Sequence, residues 1–269
     1  MGTRPAYVEE PTKQSAHTGS RTEIMPTITD TITTPDGTCP VTLSTPEGDG
    51  PWPAVVMYPD AGGFRQVFHD MAAQLAGYGY AVLVPDVYYR DGEWAPFDMV
   101  TVFADQDERK RLFGMISKIS PDIMASDATA LFDYLDARPE VSGSAFGTTG
   151  YCMGGRTSLV VAGRVPERVA AAMSFHGGGL VSDDAGSPHL LADEMRATVY
   201  VGAAENDQSF TAEQGETLDK ALTAAGVEHT IEFYSAAHGF AVPDNEPYDP
   251  AAAQRHWEAM KRVFGATLK

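Results

Sequence analysis

From Pro26 to Pro46 apolar and polar positions alternate in two stretches, TITDTITTP and CPVTLSTP, on either side of Asp36-Gly37. Period-two alternation puts one strand face on a core and the other in water, and an Asp-Gly pair between two such stretches is a tight turn. An antiparallel hairpin is therefore expected. After Gly50 the pattern changes to short runs that stay apolar on both faces: AVVMYP, YAVLVPDVY, FGTTGY, RVAAAMSFH, ATVYVGA and EHTIEFYSA. Such runs suit strands buried on both sides, the situation in a parallel sheet. Helical segments separate them, near Gln66 to Gly77, from Ser120, over MGGRTSLVVAG, over Ala212 to Ala225 before Gly226, and from Asp249-Pro250. Ser120 and Pro121 read as N-cap and first-turn proline ahead of a stripe of Met124, Ala128, Leu131 and Leu135. Ala253, Trp257, Met260 and Phe264 form the stripe of the last helix. This alternation, free of internal repeats, predicts an α/β fold: a three-layer sandwich with a mostly parallel central sheet and an antiparallel N-terminal hairpin. Tyr88 to Ile119 fits it least and reads as a surface excursion near the carboxyl ends of the strands, where such folds place ligands. Residues 1–24 are polar and unpatterned, an N-terminal extension to a domain spanning 25–269.

Composition changes the picture in three ways. With 43% hydrophobic and 10% aromatic residues in 269, the chain can bury a large core. Its 37 acids against 19 bases give a net charge of -18, the wrong sign for tracking phosphates, so no nucleic-acid partner is expected. No run approaches the ~18 apolar residues of a membrane span, and the amino end lacks a secretory leader pattern. The two cysteines, Cys39 and Cys152, stand 113 positions apart, which matches neither a disulfide framework nor a zinc-ligand spacing. A cytoplasmic protein with no membrane partner and no bound metal is the expectation.

The chemistry concentrates at Gly150-Tyr151-Cys152-Met153-Gly154, which is G-x-S-x-G with Cys in place of Ser, between an apolar strand and a helix. A sharp strand-to-helix turn lifts the central residue into reach of substrate, the flanking glycines let neighbouring backbone approach, and the helix amino end favours a thiolate. A nucleophile there needs a base and an orienting acid. Asp207, beyond ATVYVGA, and His238, beyond EHTIEFYSA, follow in the order nucleophile, acid, histidine. His176, at the end of RVAAAMSFH, rivals His238 as base and otherwise lines the pocket, and Glu205 is the alternative to Asp207. Donors for a developing oxyanion are expected from the amides of Met153 and of Ala61, with Gly62 second, in the loop Asp60-Ala61-Gly62-Gly63. Tyr88, Tyr89, Trp94, Phe97 and Phe113 are candidate substrate contacts.

These residues give the chain a resemblance to the dienelactone hydrolase family, a branch of the α/β-hydrolase fold with a cysteine nucleophile. The resemblance runs from about Pro26 to the carboxyl end and rests on GYCMGG at Gly150 to Gly155, the Asp207 loop, AHGF around His238 and PDVYYR at Pro85 to Arg90. It implies hydrolysis of lactones and activated esters with neither metal nor organic cofactor. It also implies that Asp60 modulates the thiol, since a carboxylate beside a thiol opposes its ionisation. Arg90 is implied to grip a substrate carboxylate. This chain has Val242 where the family places a second arginine, so one arm of that anion clamp is missing. The expected function is hydrolysis of a lactone or activated ester through Cys152, His238 and Asp207 by way of a thioester. The alternative is a binding or redox-sensing protein with Cys152 as its sensor thiol.

Overall fold

The computed structural model describes residues 25–268, so the extension expected at 1–24 lies outside the described residues. A hairpin opens the chain: β1 (Thr27–Thr34) and β2 (Gly37–Ser44) turn at Asp36-Gly37 and pair antiparallel from Thr27 with Ser44 to Thr34 with Gly37. β2 then pairs antiparallel with β4 (Ala81–Pro85). From there the sheet is parallel through β3 (Trp52–Tyr58), β5 (Val141–Tyr151), β6 (Val169–Phe175), β7 (Thr198–Asn206) and β8 (His229–Ala237), in the order β1-β2-β4-β3-β5-β6-β7-β8.

Helices cover both faces. α1 (Gln66–Ala76) and α6 (Pro250–Thr267) pack on one side, with Phe68, Leu75, Trp257, Met260 and Phe264 buried against Val55, Met57 and Val82. α3 (Pro121–Asp136), α4 (Met153–Arg164) and α5 (Ala212–Ala224) pack on the other, where Leu131, Leu159 and Leu218 meet Ala54, Val56 and Leu83. Successive residues of β3 thus point into different cores, which is why its sequence shows no alternation. The predicted caps are in place: Ser120 Oγ accepts from the Ile123 amide, and Asp249 Oδ1 accepts from Ala251 and Ala252 at 2.9 Å.

Two segments differ from expectation. β5 begins at Val141, five residues before the predicted run, because its polar first half pairs with Trp52 and Pro53 of β3 through backbone alone. The excursion over 88–119 contains a regular helix, α2 (Gln106–Ile116), capped by the Asp105 carboxylate. Only Leu112 and Met115 of α2 are buried, too few to show a helical period beside the charged run DERKR. With the loop before it, α2 forms a satellite cluster with Ala61, Tyr88 and Phe97 above the carboxyl ends of the strands. No helix among the described residues is long and apolar enough to cross a membrane.

Two kinds of support for α6 separate by magnitude. Asp249→Ala removes a cap and is expected to cost about 1 kcal/mol of unfolding free energy. Phe264→Ala empties a fully buried site and is expected to cost about 3–5 kcal/mol. Urea unfolding of the two variants beside the parent checks the order.

Candidate active site

Gly150 and Gly154 dictate the turn between β5 and α4. A Cβ on Gly150 would lie 2.0 Å from the Gly154 carbonyl oxygen, and one on Gly154 would lie 2.3 Å from that of Tyr58 and 2.4 Å from that of Pro59. No side chain fits at either place. Between them Cys152 is held at φ 53°, ψ −114°, a conformation that costs a non-glycine residue on the order of 1–3 kcal/mol. Its amide donates to the Phe175 carbonyl at 3.1 Å, and its carbonyl accepts from Gly155 at 3.1 Å and Arg156 at 3.3 Å. The half-buried thiol therefore stands at the amino end of α4.

Asp207 and His238 arrive from the ends of β7 and β8. His238 Nδ1 donates to Asp207 Oδ2 at 2.6 Å, while Asp207 Oδ1 accepts from the Ser209 amide at 2.8 Å and its hydroxyl at 2.6 Å. Burial opposes ionisation of Asp207, but the hydrogen bonds from His238 and Ser209 outweigh it and hold the carboxyl below its usual range. Burial likewise opposes charge on His238. The bond to Asp207 and the contact with Cys152 outweigh it, and the imidazole is raised to about 10. Glu205 is exposed and takes no part in this arrangement.

His176 lies beneath His238, ring centroids 5.2 Å apart and edge to face, at 1% exposure and with φ 39°. Burial pushes its pKa well below the usual histidine value, and among the described residues neither ring nitrogen has a partner. The Asp207 carboxylate thus orients His238 and leaves His176 in the supporting layer.

In the loop after β3 the Gly62 amide donates to Asp60 Oδ1 at 2.8 Å, which commits it within the loop. The amides of Ala61 and Met153 donate to no protein acceptor among the described residues, and both residues line the cavity in front of Cys152. Asp60 is buried and engaged: Arg65 bonds it at 2.5 and 3.0 Å, and Asn245 Nδ2 at 3.2 Å. Arg65 also forks onto Asp244, two bonds of 2.8 Å. The loop carrying Asp60 is thereby tied to the segment that follows His238.

The cavity holds about 490 Å³ and is walled by Leu112, Phe113 and Ile116 of α2, with Phe103, Met124 and Arg156 around them. Arg90, Tyr89 and Trp94 do not line it. Arg90 forks onto Asp127 at 2.7 and 2.8 Å, bonds Asp36 at 2.8 and 2.9 Å and covers the Tyr89 ring. Tyr89 bonds Thr34 and Asp127 through its hydroxyl. Trp94 donates to Asp86 and packs edge-on against Tyr88, behind the loop that carries Gly63. The cation that does face the cavity is Arg156, held by Asp184 at 3.1 Å. Sequence reading passed over Arg156 and Ser209. Arg156 stands four residues after Cys152, one helical turn along the same face, and Ser209 stands two after Asp207, the spacing of an Asx turn.

Comparison with known proteins places the chain. The model of the dienelactone hydrolase family matches residues 39–268. A Synechocystis protein named "Putative carboxymethylenebutenolidase" is 28% identical over 84% of this chain and 91% of its own length. A Salmonella typhi protein of the same name is 30% identical over 80% of this chain and 78% of its own. Among solved structures, a dienelactone hydrolase-like promiscuous phosphotriesterase from metagenomic libraries superposes with a TM-score of 0.73 at 26% identity, covering 90% of this chain and 99% of that one.

The raised His238 has a stability consequence with a definite sign. A folded value above the ordinary histidine value of about 6.5 means the stabilisation is complete below that pH and is lost as pH climbs through about 10. Asp207, shifted the other way, loses its share as pH falls through its lowered value. The melting-temperature gap between the parent and His238→Gln is therefore expected to be widest in weak acid and to close as pH rises through about 10, measured by thermal melts across pH.

Proposed function

The chain belongs to the dienelactone hydrolase family and is a hydrolase, and from that premise we propose that it cleaves a lactone or an activated carboxylic ester through Cys152, His238 and Asp207. The observation that carries this reading is the convergence on one cavity of the strained Cys152 and of His238, whose far nitrogen is bonded to a buried Asp207.

In the proposed cycle the Cys152 proton already rests on His238, whose raised pKa favours the imidazolium, and the thiolate attacks the ester carbonyl, forming a C–S bond. The Ala61 and Met153 amides receive the oxyanion. As the C–O bond breaks, the imidazolium gives its proton to the leaving alkoxide or enolate. Acylation also removes the thiolate that helped hold the proton on His238, so the imidazole's pKa falls when it must next act as base towards water. Asp207 keeps Nδ1 protonated throughout, which leaves Nε2 for proton transfer. Water then cleaves the thioester and restores the thiol.

For Asp60 we propose a part other than the thiol control implied by the family resemblance. Its carboxylate is committed to Arg65, Gly62 and Asn245, and we assign it the task of holding Ala61 in place. The apolar walls of α2 suit an uncharged acyl or alcohol group. Cys39 offers the sensor reading no resolving partner: it is buried, faces the Pro40 and Asp86 carbonyls, and burial pushes its thiol up to about 12.

Intact-mass spectrometry after mixing with p-nitrophenyl acetate tests the assignment. The parent is expected to gain an acyl group mapping to Cys152, and Cys152→Ala to lose both adduct and turnover. Equal turnover by the variant overturns the mechanism. A peroxide-sensitive Cys152 with no acylation puts the sensor reading in its place.

A further inference from the structure

The lining of the catalytic cavity is divided between two kinds of surface. On one side direct contacts join His238 to Arg156: Ser209 Oγ lies 3.3 Å from His238 Nδ1, the Gly179 amide donates to the Ser209 carbonyl at 3.1 Å, and a Cβ on Gly179 would lie 3.6 Å from Arg156 Cδ. On the other side Leu112, Phe113 and Ile116 of α2 stand with Phe103, Ile119 and Met124. Ile116, Ile119 and Met153 pack there on the cluster that contains Ala61 and Leu112. All six side chains of this second wall are apolar, and the cation of the lining, Arg156, belongs to the histidine side.

Attack by the thiolate creates a tetrahedral carbon whose substituents must be shared between these surfaces. Sulfur comes from Cys152, the oxyanion turns to the amides of Ala61 and Met153, and the leaving oxygen must lie within reach of the proton on His238. The alcohol part therefore departs along the histidine side. The acyl substituent takes the direction that is left, towards α2. Phe103 and Phe113 line the cavity on that side and yet are 52% and 54% exposed, at the mouth of a space of about 490 Å³, a volume suited to a small organic group. An apolar chain lying along α2 removes part of that aromatic surface from water, a gain that a two-carbon acyl group cannot make.

We propose that α2 forms the acyl subsite and selects esters of apolar, medium-length acyl chains, with Phe113 and Ile116 as the specificity-determining residues. The proposal rests on the thiol-hydrolase reading and names the acyl side of its substrate. The bonds made and broken are those of the proposed cycle, C–S formed and C–O cleaved, with the His238 proton passing to the leaving oxygen; the α2 wall acts only by holding the chain. A carboxylate at the far end of the chain is selected against, because it would give up water beside six apolar side chains with no cation among them. Phe113 is exposed and Ile116 half-buried, whereas the buried residues of α2 are Leu112 and Met115, so the selecting positions can be altered without emptying the core.

The test compares kcat/KM for p-nitrophenyl acetate, p-nitrophenyl hexanoate and the mono-p-nitrophenyl ester of adipic acid, which matches hexanoate in carbon count and ends in a carboxylate. The proteins are the parent, Phe113→Arg and Ile116→Trp, with circular dichroism melts to establish folding. A buried methylene is worth about fourfold, so the parent is expected to favour hexanoate over acetate by about tenfold or more, and over adipate by a similar factor. Phe113→Arg supplies a cation on the wall, and the ratio of adipate to hexanoate is expected to rise about tenfold, a gain that a misfolded variant cannot produce. Ile116→Trp fills the wall, and the ratio of hexanoate to acetate is expected to fall about fivefold. An unchanged adipate-to-hexanoate ratio in folded Phe113→Arg overturns the proposal. So does a parent that handles acetate and hexanoate equally, which keeps the test decisive if either variant fails to fold. Acylation of Cys152 by p-nitrophenyl acetate separates the two levels: if it occurs and the ratios stay put, the acyl subsite alone is wrong, and if no ester acylates Cys152, the hydrolase mechanism falls and the subsite with it.

Discussion

The arrangement hangs on one backbone contact, Gly154 against the carbonyls of Tyr58 and Pro59. Because nothing larger than hydrogen separates them, the first turn of α4 sits directly on the end of β3. Two results follow from that approach. The chain between Gly150 and Gly154 has no room for an ordinary turn, which leaves Cys152 in its left-handed conformation. The loop that continues from Pro59 is delivered beside the amino end of α4, so the Ala61 and Met153 amides share one cavity. Asp207 and His238 need only the parallel order of β6, β7 and β8 to reach the same edge.

Much of this was legible because its signals are local. The apolar runs, the Asp36-Gly37 turn, the Ser120 and Asp249 caps and the glycines around Cys152 each act within a few residues, and each has a sequence signature. What escaped notice depends on partners far along the chain. Arg90 meets Asp36 and Asp127, 54 and 37 residues away, and Arg65 meets Asp244 across 179. Nothing near an arginine in sequence tells whether it holds a substrate or a distant carboxylate. The first half of β5 was hidden for another reason: it pairs through peptide groups, which every residue carries. α2 was hidden because most of its surface is in water or on the cavity.

The strongly acidic chain nonetheless keeps two of its few cations well covered, each between two carboxylates. Arg65 joins Asp60 to Asp244, and Arg90 joins Asp36 to Asp127. Removing one partner of a buried pair leaves a charge without compensation, which costs more than the pair itself contributes. The Arg65 bridge therefore fixes the distance between the Asp60 loop and the segment that follows His238 more firmly than its net stabilisation suggests.

The Arg90 bridge has a mechanical meaning. Asp36 sits at the tip of the β1–β2 hairpin and Asp127 on α3, while Tyr89 bonds Thr34, and Asp30 of β1 accepts from Tyr134 of α3. An edge hairpin with mostly exposed threonines on its outer strand would ordinarily fray by itself. Tied through Asp36 at its tip and through Asp30 and Thr34 in the middle and at the end of β1, the hairpin is coupled to α3 and to the segment after β4, and its amides are expected to exchange with solvent more slowly than those of a free edge.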